Sequence, residues 1–173
     1  MTINVDTREH ASEWNRIQKQ FDKLGLQYFR SKLYCGDYMS LDNAKLVIDR
    51  KKGLLEVCQN VTQQHARFRA ELERARDAGI QIVLLIENFG NIQSIEDVKT
   101  WQNPRKHQIR WRYNKTTHKR ERYVESPKAI DGSQLYKSLC TIRDRYGVMI
   151  EFCKWSDTGQ KIVEILSNDR PGD

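Results

Sequence analysis

No pair of the four cysteines forms a C-x-x-C arrangement: Cys35, Cys58, Cys140 and Cys153 are scattered singly through the 173 residues. That spacing supports neither a zinc site nor a disulfide framework, and it predicts free thiols buried as small apolar groups. Long hydrophobic runs are missing too. The longest, Ile82–Ile86, is far shorter than the roughly 20 residues a membrane-spanning helix needs. The opening residues, Met1 to Asp6, have neither the basic nor the apolar stretch of an export signal, so an intracellular, cytoplasmic protein with no membrane partner is expected. Internal repeats and low-complexity tracts are absent. With 38% hydrophobic and 31% charged residues, the composition is that of a globular chain. Its length suits one domain over residues 1–173, with a core that needs no covalent staple.

What is present is charge, concentrated in one place. Between Trp101 and Lys128 lie Arg105, Lys106, Arg110, Arg112, Lys115, Lys119, Arg120, Arg122 and Lys128, opposed only by Glu121 and Glu125. The whole net charge of +7 sits in this segment, and the rest of the chain is balanced. Lysine and arginine displace the counterions condensed on phosphates, so a local excess of this kind points to nucleic acid. Trp101, Trp111, Tyr113 and Tyr123 are interspersed with these charges and offer flat faces for unpaired bases.

Elsewhere strands and helices alternate. Ile3–Asp6 reads as a strand, and Ser12–Leu24 as a helix with Trp14, Ile17, Phe21 and Leu24 on one face and Gly25 as its stop. Leu26–Arg30 and Leu33–Leu41 are extended in character. The Asp42-Asn43 turn leads to Lys45–Asp49, so a hairpin is expected there. Helices follow at Leu54–Asn60 and Thr62–Ala78, the second with His65, Phe68, Leu72 and Ala75 along one stripe. On that apolar face His65 is expected to be a buried or half-buried structural group. Ile80–Ile86 has the unbroken aliphatic pattern of a strand covered on both faces. A helix at Ser133–Tyr146, a further buried strand at Val148–Cys153, a last helix at Thr158–Leu166 and a frayed tail from Arg170 complete the order. The pattern predicts an α/β fold, a mixed central sheet flanked by helices, with residues 88–131 inserted at its rim.

Three acids stand at strand ends: Asp6, Asp37 in Gly36-Asp37-Tyr38, and Asp49 after Leu46-Val47-Ile48. Carboxylates that converge can hold a hard divalent cation, which lowers the pKa of an attacking water and neutralises phosphoryl oxygens. Lys51 follows Asp49 by two, and residues two apart on a strand share a face, so the two project together while Arg50 points away.

Val5-Asp6-Thr7-Arg8-Glu9, Gly36-Asp37-Tyr38 and Val47-Ile48-Asp49-Arg50-Lys51 resemble, in order and spacing, the nuclease domain of the XPF/Hef structure-specific endonucleases, a branch of the PD-(D/E)xK restriction-enzyme-like superfamily. The resemblance runs on through Leu84–Glu87 and Ser138-Leu139 to Val148–Ile150 and covers most of the chain. It implies a restriction-endonuclease-like fold and metal-dependent hydrolysis of branched DNA with Mg2+ or Mn2+. Asp6, Asp37 and Asp49 map to its metal-binding or catalytic acids, Glu9 to the acid of the first motif, and Arg50 and Lys51 to its basic pair. Arg8, Arg105, Lys106, Arg110, Trp111, Arg112, Lys115, Lys119, Arg120 and Arg122 are the expected DNA contacts. Asp49 stands where the family usually has Glu, and the acid expected after Lys51 falls on Leu55, beside Glu56. The residues after Cys153 are too few for the family's tandem helix-hairpin-helix module, as in phage or bacterial versions of the domain. A homodimer through the nuclease domain is implied by the resemblance as well. Two further readings stay open: a non-catalytic DNA-binding module of the same fold, and an RNA-directed nuclease or binding protein.

Overall fold

A computed structural model describes residues 1–167; the tail from Arg170 lies outside them. The strands are β1 (Thr2–Asp6), β2 (Gln27–Ser31), β3 (Tyr38–Ser40), β4 (Leu46–Lys51), β5 (Gln81–Asn88), β6 (Ile109–Asn114), β7 (Lys119–Val124) and β8 (Met149–Lys154). The helices are α1 (Ala11–Lys23), α2 (Leu54–Val61), α3 (His65–Asp77), α4 (Gly132–Tyr146) and α5 (Thr158–Ser167). Six strands form one sheet in the order β2-β1-β3-β4-β5-β8, and β6 and β7 form a separate hairpin.

Within the large sheet only β3 runs against its neighbours, because it enters between β1 and β4 and pairs antiparallel with both. The start of β3 therefore meets the C-terminal ends of β1 and β4 at one edge. This reversal brings three stretches distant in sequence together: the turn after Asp6, the Gly36-Asp37 pair, and the Asp49–Lys51 strand end.

The sheet is covered on both faces, and strand alternation decides which residue faces which layer. Val83 and Leu85 of β5 join Ile3, Val5, Leu46 and Ile48 under α1 and α5, whose Trp14, Ile17, Phe21 and Ile162 fill that side. Ile82, Leu84 and Ile86 turn the other way, against Phe68, Leu72, Leu135 and Leu139 of α3 and α4. Burying each such side chain contributes roughly 1.5–3 kcal/mol, which is why β5 tolerates no polar residue between Ile82 and Ile86.

Several sequence expectations need correction. Val148–Cys153 is half-buried rather than buried, because β8 is an outer strand with a neighbour only on the β5 side. Only Tyr38–Ser40 of the extended stretch Leu33–Leu41 pairs as strand. His65 begins α3 and is exposed, so the buried stripe starts at Phe68. Cys35 and Cys58 are buried, whereas Cys140 and Cys153 are partly exposed. Burial pushes the thiols of Cys35, Cys58 and Cys153 up to about 11.

The inserted stretch is not all rim. Ile92 and Val98 are buried in the α3/α4 layer, and Asn103 Nδ2 donates to the Ile130 carbonyl at 2.8 Å. The N-terminus of α4 closes against this turn: a capping box joins Asp131 and Gln134, and a Cβ on Gly132 would stand 2.3 Å from the Val98 carbonyl oxygen. Only β6 and β7 stand clear of the core. Among the described residues, no helix is long and apolar enough to cross a membrane.

Candidate active site

Gly36 makes the junction possible. Its φ of +65° is costly for a residue with a Cβ, and a Cβ there would lie 2.9 Å from the Ile48 carbonyl oxygen and still closer to Val47. With no side chain, the strand bends tightly over β4, so the Asp37 N–H donates to the Ile48 carbonyl and the Asp37 carbonyl accepts from the Asp6 N–H, both at 2.8 Å. Asp37 is thereby fixed between β1 and β4. Its Oδ2 accepts from the Arg50 N–H at 2.8 Å.

Opposite it, β4 ends with its alternation intact. Asp49 and Lys51 project toward α3, with Lys51 Nζ 2.8 Å from Asp49 Oδ1 and 5.4 Å from the Phe68 ring centre. Both are buried, as is Arg50, which projects to the opposite layer. Desolvation opposes the Lys51 charge, but Asp49, Asp37 and Glu56 outweigh it and hold the ammonium above its ordinary pKa. Burial pushes the Asp37 carboxyl well above the usual carboxylate range, and the nearby charges of Asp49 and Glu9 push the same way. A half-buried acid beside other acids is an arrangement that a cation relieves.

Arg50 anchors the other side. Its guanidinium donates to Glu9 Oε1 at 2.6 Å and Glu87 Oε2 at 3.0 Å. Glu87 is 3% exposed and accepts in addition from Arg16 Nη2 and Thr158 Oγ1, each at 2.5 Å. This network ties α1, α5, β4 and β5 together beneath the cleft.

Asp6 takes a different place. Its carboxylate accepts from the Arg8 N–H at 2.6 Å, from Arg8 Nε and Nη2 at 2.8 Å each, and from the Leu33 N–H at 2.7 Å. Burial raises its pKa, but these donors outweigh it and hold the carboxyl below the usual range. Asp6 thus shapes the turn after β1 and aims Arg8, while Arg30 clamps the same turn by donating to the carbonyls of Thr7 and Glu9 at 3.1 and 3.3 Å.

One cleft is lined by Arg8, Glu9, Asp37, Asp49, Arg50 and Lys51. Of the residues expected at the site, only Asp6 lies behind that lining. The cleft also includes Glu56, Arg67, Glu71 and Arg74. Glu71, in a run of alternating charges on α3, accepts from the Gly36 N–H at 3.2 Å. Pairing within that run does occur at Arg69 and Glu73, 2.8 Å apart. The sequence signal for Glu87 is its odd-numbered place on β5, which it shares with Val83 and Leu85 and which turns it to the α1/α5 layer.

Among the described residues, no group of three or more His, Cys, Asp or Glu side chains is placed to hold a metal ion, so Asp6, Asp37 and Asp49 do not form the expected three-acid site. Magnesium does not require three acids, since it keeps several waters and takes one or two carboxylates. The hard oxygen donors of Asp37 and Asp49 fit that demand.

The basic residues divide. Arg105 and Lys106 lie on a short turn at the base of the insertion, with Lys106 3.5 Å from Asp131. Arg110, Trp111 and Arg112 belong to β6, Lys119, Arg120 and Arg122 to β7, and Lys115 to the loop between them, all exposed. Trp101 packs partly buried against the core and is no free stacking surface.

Solved structures that share this architecture include two of the same protein. XPF from Aeropyrum pernix superposes with a TM-score of 0.59 at 17% identity, covering 98% of this chain and 66% of that one. XPF from Aeropyrum pernix in complex with DNA gives 0.57 at 16% identity, covering 99% and 68%. At this identity the likeness is one of fold, and this chain spans about two thirds of the length of those proteins. No curated protein sequence matches it significantly. The family model of the ERCC4 domain matches residues 5–165, from the residue before Asp6 into the last helix, and the chain therefore belongs to the ERCC4 domain family, a family of nucleases.

Proposed function

We propose that this protein is a divalent-metal-dependent endonuclease that hydrolyses phosphodiester bonds in branched or structured DNA, at the cleft where β1, β3 and β4 meet. The observation that carries the reading is the half-buried Asp37 carboxyl beside Asp49, with the Lys51 ammonium on the same strand face as Asp49. Asp37 and Asp49 would hold Mg2+ or Mn2+, which supplies an acidified water and charge neutralisation at the phosphoryl group. Hydrolysis forms one P–O bond to water and breaks one P–O bond to the sugar, whose oxygen leaves with a proton. Lys51, kept protonated, donates toward the scissile phosphate or the attacking water. Glu9 and Arg50 fix the floor of the cleft, and Asp6 acts through Arg8, whose guanidinium faces the cleft as a phosphate contact. The cations of the β6/β7 hairpin supply the wider electrostatic grip. A homodimer through this domain, implied by the sequence resemblance, is expected in sedimentation at micromolar concentration.

Incubating the protein with labelled fork, flap, junction and linear DNA, with and without Mn2+, tests this reading. Metal-dependent cleavage near the branch is the expected result. Binding without any cleavage across the panel would overturn it.

A further inference from the structure

Strand alternation sorts the β6/β7 hairpin into two unlike faces. In its register Ile109 pairs with Val124, Trp111 with Arg122 and Tyr113 with Arg120, so these six side chains share one face. The other carries Arg110, Tyr123, Arg112, Glu121, Asn114 and Lys119.

That second face satisfies itself. Arg110 Nε lies 3.0 Å from Glu125, Asn114 Nδ2 donates to Glu121 at 2.7 Å, and Arg112 lies over the Tyr123 ring at 5.4 Å. On the first face Trp111 is 63% and Tyr113 58% exposed. Arg120 and Arg122 have no acidic partner among the described residues, and Arg122 lies over the Trp111 ring at 5.8 Å. Two large rings and two uncompensated guanidinium groups thus point from one side of an isolated ribbon.

We propose that this face binds single-stranded DNA, with Trp111 and Tyr113 stacking on unpaired bases and Arg120 and Arg122 meeting the phosphates between them. The choice of DNA rests on the nuclease reading above; the preference for unpaired strands rests on the rings, which a duplex with stacked bases cannot engage. A second copy of the chain is a poor occupant, because a two-fold contact would set the same arginines against each other. A path to the cleft exists. The cleft and a neighbouring groove share Lys52, Glu56, Asn60 and Gln64, and that groove shares Gln59 and Arg105 with a third, which ends at Glu125–Lys128 where β7 leaves the hairpin. A strand held on the hairpin is thus led along the surface toward Asp37 and Asp49.

The test is anisotropy of fluorescein-labelled oligothymidylate, oligouridylate and blunt duplex DNA with the full chain in EDTA. Trp111→Ala is expected to weaken oligothymidylate binding roughly ten-fold, the strength of one base–aromatic stack, with Tyr113→Ala acting in the same direction and duplex affinity unchanged. Trp111→Phe keeps a stacking ring and should retain most of the affinity while losing much of the tryptophan quenching on binding. Tyr123→Ala, on the other face, should leave oligothymidylate binding intact. The proposal is overturned if Trp111→Ala changes nothing, if Tyr123→Ala costs as much, if duplex affinity falls equally, if oligouridylate binds more tightly than oligothymidylate, or if Trp111→Ala converts a dimer to a monomer. Because binding is read without metal, loss of stacking with cleavage intact, or cleavage absent with stacking intact, tells failure of one reading from failure of the other.

Discussion

Arg50 donates to Glu9 at 2.6 Å, joining the middle of the sheet to the turn after the first strand. The side chain is 3% exposed, and Glu9 and Glu87, which both accept from it, offset the cost of burying its charge. Glu87 therefore positions Arg50 and, through it, Glu9. Glu87→Ala, which leaves Arg50 and Arg16 short of an acceptor, should cost about 3–5 kcal/mol in urea unfolding. Glu87→Gln should cost less and still lower the cleavage rate with DNA affinity unchanged; full activity in Glu87→Gln would remove it from the site.

Asp37 sits where function and stability oppose each other. The Asp37→Asn substitution keeps an oxygen for the Arg50 N–H and removes a charge held against Asp49 and Glu9. Thermal unfolding in EDTA should place this variant at or above the wild type, while Mn2+ should raise the wild-type Tm and leave the variant's unchanged. A variant less stable in EDTA yet still stabilised by Mn2+ would contradict the role given to Asp37.

Gly36 is needed for its backbone. Gly36→Ala should lose at least about 2 kcal/mol, since a positive φ and contact with the Ile48 carbonyl both penalise a Cβ. The check is the urea midpoint; a shift within error would mean that the strand junction relaxes freely.

The hairpin should account for most of the salt dependence of DNA binding. Replacing 109–124 by a short glycine link is compatible with the fold, because the Glu125 N–H already donates to the Gln108 carbonyl at 3.0 Å beneath it. The slope of log K against log salt on duplex DNA should flatten by up to about 5, for six cations at 0.9 each. An unaltered slope would locate the DNA surface elsewhere.

Much of this was legible in the sequence because strand alternation and the aliphatic run of β5 are strong local signals. Asp49 and Lys51 share a face, Arg50 takes the other, and the sheet is mixed, as the residue pattern predicts. What escaped depended on tertiary context. Asp6 looks like a cleft ligand from its place at a strand end, yet the donors that enclose it come from Arg8 and from Leu33, 27 residues away. Glu71 was hidden among charges of the α3 surface, because nothing local reveals that Gly36 passes over that helix. The exposure of β8 could not be seen either, since its sequence resembles a central strand and only the sheet order makes it an outer one.

Asp49 and Lys51 are proposed as the working end of the cleft. Single-turnover cleavage of a labelled fork in Mn2+, with affinity measured in parallel, tests this most directly. Asp49→Ala and Lys51→Ala should each abolish cleavage and leave affinity close to wild type. Wild-type cleavage rates in either variant would show that the pair takes no part in the chemistry.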